Sequence, residues 1–120
     1  MLAGKRILVV EDEAIIAAMI EDMLTELGAT VIGPAATVAT GRALAKAGGI
    51  DAAVLDVNVG GERIDSLVGE LHACAVPVVL ATGYGQGAAG IAQGAPILDK
   101  PYTSEKLVAA LRLVLEKEEA

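Results

Sequence analysis

The period of the apolar positions changes several times along the chain, and each change marks an element. Residues 5–10 (KRILVV) form an apolar run entered by two cations, which predicts a buried strand running into the acidic residues 11–13. From Ala14 the period becomes helical. Ile15, Met19, Met23 and Leu27 fall four apart with Ile16, Ile20 and Leu24 beside them, predicting one wide apolar face that Gly28 ends as a C′ residue. Residues 30–33 (TVIG) predict a second strand, and Thr37 caps a weaker helix reaching about Ala47, where Gly48 and Gly49 break it. Residues 52–57 predict a third strand, followed by a turn at Gly60 and Gly61 and a helix over 64–72. Residues 77–82 (PVVLAT) and 96–100 (PILDK) predict the fourth and fifth strands. The five glycines of residues 83–94 predict a short or poorly formed helix between them. Thr103 caps a last helix whose Leu107, Val108, Leu111, Val114 and Leu115 make an inward stripe.

Strands alternating with helices imply an α/β fold, a parallel sheet joined by right-handed crossovers. The pattern shows no linker or repeat, so residues 1–120 are expected to form a single domain. Composition sharpens this picture. Apolar residues make up 54% of the chain and aromatic residues 2%, so the core must be built from Val, Ile, Leu and Ala, as suits strands covered on both faces. A net charge of −7 argues against nucleic acid and favours metal ions or basic protein surfaces as partners. The single Cys74 cannot form an internal disulfide and the single His72 cannot build a histidine metal cluster, so both are expected to be structural. No signal-type segment opens the sequence and no apolar run approaches the roughly 20 residues of a membrane span, so a cytoplasmic protein without membrane contact is expected.

One stretch resists the apolar pattern. Residues 54–59 read VLDVNV, and a lone carboxylate in a buried strand would cost several kcal/mol unless it is neutralised, paired or bound to a metal. In an open parallel sheet the functional crevice lies beyond the carboxyl ends of the strands. Those ends deliver Glu11 and Asp12 from the first strand, Asp56 from the third, Thr82 from the fourth and Lys100 from the fifth. Clustered carboxylates without His or Cys make a hard oxygen site suited to Mg²⁺, an ion that usually works on phosphate. An ammonium and a hydroxyl can hold the phosphoryl oxygens that the metal does not, and a carboxylate so placed can itself be the nucleophile.

With ILVVEDE, VLDVNV, LATGYG and LDKPY spread over the chain, the sequence resembles a two-component response regulator receiver domain. The resemblance implies a flavodoxin-like (βα)5 fold, a doubly wound five-stranded parallel sheet of order 2-1-3-4-5. It implies that Asp56 is the phosphoacceptor, that Glu11 and Asp12 are the acidic pair for Mg²⁺, and that Asn58 lends the metal a backbone carbonyl. Thr82 would be the switch hydroxyl, Lys100 the phosphate-binding lysine, and the bond between Lys100 and Pro101 cis. Typical receivers carry a switch aromatic three residues before the lysine, where this chain has Ile97. LATGYG and the glycines after it are similar to the subfamily named for its Phe-Ala-Thr-Gly motif, with Leu80 in place of the Phe. Such a receiver takes its phosphoryl group from a histidine kinase or a histidine phosphotransfer protein. With no output domain following, it would signal by protein contact or act as a phosphate sink. Tyr84 and Tyr102 are interface candidates, and residues 83–94 are expected to gain order on phosphorylation in place of an aromatic switch.

Two rivals belong to other classes. A phosphatase of haloacid-dehalogenase type also begins with an aspartyl nucleophile, but it wants a second Asp two positions later as general acid, where this chain has Asn58. A receiver-shaped adaptor that never carries phosphate would be favoured by a missing site residue, and none is missing. The expected protein is therefore not a turnover enzyme.

Overall fold

The computed structural model describes residues 2–59, 62–82, 97–99 and 103–119. In chain order these form β1 (Arg6–Val10), α1 (Ala14–Glu26), β2 (Thr30–Ala35), α2 (Val38–Lys46), β3 (Ala52–Asp56), β4 (Asn58–Val59), β5 (Glu62–Arg63), α3 (Asp65–Ala73), β6 (Val78–Thr82), β7 (Ile97–Asp99) and α4 (Ser104–Glu119). The main sheet is parallel with order β2-β1-β3-β6-β7, which is 2-1-3-4-5 once its own five strands are counted in sequence. β4 and β5 form a separate antiparallel pair. Residues 83–96, where a short fourth helix is expected, lie outside the described residues, as do the turn at Gly60 and Gly61 and the bond between Lys100 and Pro101.

The sheet separates two apolar layers because successive strand residues point to opposite faces. Leu8, Val10, Ala53, Leu55 and Val78 join Val38, Leu67, Val68 and Leu71 under α2 and α3. Ile7, Val9, Ala52, Val54 and Val79 join Ile20, Leu24, Leu107 and Leu111 under α1 and α4. β3 is buried along its whole length, the signature of a strand covered on both sides. Against the first layer α2 lies so close that a Cβ on Gly41 would come within 2.8 Å of Val10 Cγ2, which only glycine avoids.

Both predicted caps form. Thr37 Oγ1 accepts from Thr40 N–H at 3.1 Å, and Thr103 Oγ1 from Lys106 N–H at 3.2 Å. Gly28 ends α1 as expected: with φ at +84° it sends its N–H to Thr25 O at 3.0 Å, while Ala29 N–H reaches Leu24 O at 3.0 Å. α3 closes with the same double bond, Ala75 N–H to His72 O and Val76 N–H to Leu71 O, but here Ala75 holds the left-handed position at φ 60°. Cys74 is exposed at this helix end.

Three departures from the sequence reading have physical causes. The wide apolar face of α1 is only half used: Ala17, Ile20 and Leu24 are buried, whereas Ile15 is 78% and Met19 46% exposed and Leu27 is also exposed. A helix laid on a sheet buries one stripe, and the row through residues 15, 19 and 27 is turned about 100° from the row through 16, 20 and 24. β2 runs on through Gly33 and Pro34 to Ala35, with the Gly33–Pro34 bond cis and the register skipping between Leu8 and Val10. An edge strand tolerates the missing proline N–H, and β2 is an edge. Finally, the chain bends at Val57 and enters the β4–β5 hairpin where only a turn is predicted.

Candidate metal centre

Strand register brings the acids together. Val10 pairs with Leu55 and Asp56 with Ala81, so Glu11, one residue past β1, stands level with Asp56 at the end of the central strand. Glu11 is fixed at both backbone and side chain. Its N–H donates to Ala35 O at 2.9 Å, and its Oε2 accepts the N–H of Glu13, the N-cap of α1, at 3.1 Å. Asp12 lies between them on the surface. Glu11 is 2% and Asp56 8% exposed, the two buried charged residues among the described ones.

Glu11, Asp12 and Asp56 each offer a carboxylate oxygen, and these oxygens lie within 4.8 Å of one another. Two like charges at such a distance repel by on the order of 3 kcal/mol at an effective dielectric of about 20, more than a surface ion pair returns. A divalent cation turns that repulsion into binding energy. Ligands about 2.1 Å from an octahedral ion stand about 3–4 Å apart, so a modest closing of the three side chains would bring their oxygens around Mg²⁺, and an all-oxygen donor set is what this hard ion takes. The residues present therefore fit a magnesium ion.

The backbone carries Thr82 to the same carboxyl end of the sheet. Thr82 is the last residue of β6 and pairs with Asp99, the last of β7. Asn58 opens β4, two positions beyond Asp56, and Ile97 opens β7 beside Leu80. Lys100, Tyr84 and Tyr102 lie outside the described residues. The sequence reading missed the hairpin arm Glu62–Arg63, although two glycines between short polar-apolar stretches are a known hairpin signal.

No family model matches the chain, and no curated protein does. Solved structures do. SdrG from Sphingomonas melonis Fr1 is 42% identical over 96% of this chain and 99% of its own, with a TM-score of 0.83. A response regulator receiver protein from Sinorhizobium medicae WSM419 is 27% identical over 98% and 99%, with a TM-score of 0.85. The CheY-like receiver domain protein from Methanospirillum hungatei JF-1 shares the fold at a TM-score of 0.87 and 22% identity, over 98% of both chains. Similarity to SdrG over nearly the full length, the parallel sheet of matching order and the acids at its carboxyl rim lead to one conclusion: the chain belongs to the CheY-like response regulator receiver domains.

Proposed function

We propose that the protein is a phosphoacceptor of two-component signalling, with Asp56 as the residue that takes the phosphoryl group from a histidine kinase or histidine phosphotransfer protein. The observation that carries this reading is a buried carboxylate at the end of the central strand, within 4.8 Å of two further carboxylates. An Asp56 oxygen attacks phosphorus, the bond from phosphorus to the donor's histidine nitrogen breaks, and an aspartyl phosphate forms. Glu11, Asp12, Asp56 and the Asn58 carbonyl would hold Mg²⁺, which when bound neutralises charge on the phosphoryl oxygens. Thr82 and Lys100 provide a hydroxyl and an ammonium for the same oxygens. SdrG, the 42% identical relative, has a BeF3-activated conformation, which supports a phosphoryl-responsive reading of this chain.

Ile15 and Met19, exposed on α1, the helix that follows Asp12 in the chain, offer apolar area on which a phosphodonor can dock. The protein turns over no external substrate in this reading: it assists only its own phosphorylation and dephosphorylation, works in the cytoplasm and passes its signal by protein contact. Incubation with Mg²⁺ and acetyl phosphate, followed by intact mass, tests it. One phosphoryl adduct is expected, absent without Mg²⁺ and absent in Asp56→Ala. An adduct persisting in Asp56→Ala overturns the assignment, and continuous phosphate release from simple esters overturns the non-enzymatic reading.

A further inference from the structure

The β4–β5 hairpin begins two residues after Asp56, and its hydrogen bonds determine which way the intervening backbone faces. Asn58 pairs with Arg63 and Val59 with Glu62, while Ile64 N–H donates to Val57 O at 3.2 Å. Hydrogen-bonded and non-hydrogen-bonded pairs alternate along an antiparallel ladder. The bond between Ile64 and Val57 therefore makes Asn58–Arg63 the non-hydrogen-bonded pair, with Val59–Glu62 exchanging the next bonds. It follows that the N–H and C=O of Asn58 face away from β5. On the other edge Val57 N–H is bonded to Ala81 O at 3.0 Å, which ties the start of the hairpin to the main sheet. Val59 and Ile64, both fully buried, pin it into the core under α3.

We propose that this hairpin is a positioning device for the metal centre: β5 holds β4 so that the Asn58 carbonyl is presented, already oriented, to the cation held by Glu11, Asp12 and Asp56. The inference rests on the receiver reading above and adds Glu62 to it, through the backbone N–H that β5 contributes to the ladder. Fixing a carbonyl in advance removes the ordering cost that a free loop would bear on each binding event. The device differs from a side-chain ligand because it depends on a backbone donor.

Proline and alanine at position 62 separate the two. Glu62→Pro deletes the N–H and should lose about tenfold or more in Mg²⁺ affinity, the size of effect seen when outer supports of a metal site are removed. The metal-free melting temperature should stay near that of the wild type. Glu62→Ala keeps the N–H and should bind Mg²⁺ as the wild type does. Equal affinity in wild type and a folded Glu62→Pro overturns the proposal, and so does a loss shared by Glu62→Ala, which would move the effect to the side chain. The unaltered protein gives an independent reading, since coupling between metal and hairpin is reciprocal. Mg²⁺ should slow amide exchange at Glu62, and exchange unchanged at saturating Mg²⁺ overturns the proposal even if Glu62→Pro does not fold. A wild type that binds no Mg²⁺ instead removes the metal centre of the receiver reading itself.

Discussion

The two ends of the strand pair β1–β3 are built on opposite electrostatic plans. At the carboxyl end Glu11, Asp12 and Asp56 crowd like charges within 4.8 Å. At the amino end opposite partners meet: Arg6 N–H donates to Asp51 Oδ2, Asp51 N–H to Arg6 O and Arg6 Nε to Gly49 O, each at 2.8 Å. The same parallel pairing supports both arrangements, so nothing in the sheet itself demands the acidic crowding. One end pairs opposite groups across the two strands and serves the fold, while the other gathers three carboxylates into a cluster that could hold a cation. Such local inconsistency is the mark of a functional rim.

Substitutions at either end should therefore differ in kind. The largest effect is expected from Asp12→Asn, because losing a direct ligand costs at least what losing an outer support does, about 10–100-fold in metal affinity. The same change should raise the melting temperature without Mg²⁺, since one repelling charge has gone. Calorimetric titration and a thermal melt with and without the ion check both halves, and equal affinity would take Asp12 out of the site. Next comes Asp51→Ala, which removes the carboxylate that accepts the Arg6 N–H and should cost about 1–3 kcal/mol in a denaturant melt. Its Mg²⁺ affinity should stay at the wild-type value, and a matching loss of affinity would deny that the two ends are independent.

The smallest change sharpens the amino end itself. α1 and α3 finish there with the same pair of bonds, yet one has Gly28 at the left-handed position and the other Ala75. A non-glycine residue pays about 1–2 kcal/mol for that conformation, and glycine's extra freedom in the unfolded chain returns about 0.4–1 kcal/mol of the gain. Ala75→Gly should accordingly stabilise the protein by about 0.5–1 kcal/mol, read from the shift of a denaturant midpoint at constant slope. A loss of stability would show that the strain at Ala75 is relieved by its surroundings.

What the sequence made legible divides along physical lines. Continuous apolar runs such as residues 52–57, helical repeats such as those of α4, and the caps at Thr37 and Thr103 are local signals, and they appear where expected. The acids were legible because strand ends in a parallel sheet converge whatever lies between them. The facing of α1 was not: both of its rows are apolar, and the position of the sheet chooses between them. The length of β2 was hidden because Gly33 and Pro34 read as a break, and that reading is reversed only by the strand's place at an edge. Two-residue strands are too short for any period, so the hairpin could be found only from its glycine pair.

The order of strands in the sheet has a consequence for synthesis. β2, β1 and β3 all come from the first 56 residues, and β6 and β7 then join the free edge of β3 in the order in which they are made. A chain emerging from its amino terminus can therefore extend this sheet one strand at a time at a single growing edge. Covering lags behind pairing. The face formed by Ile7, Val9, Val54 and Val79 packs against both α1 and α4, and α4 is made last. Until Leu107 and Leu111 have left the ribosome, that apolar face stays half covered, and it is there that a nascent or stalled chain would recruit a chaperone or aggregate.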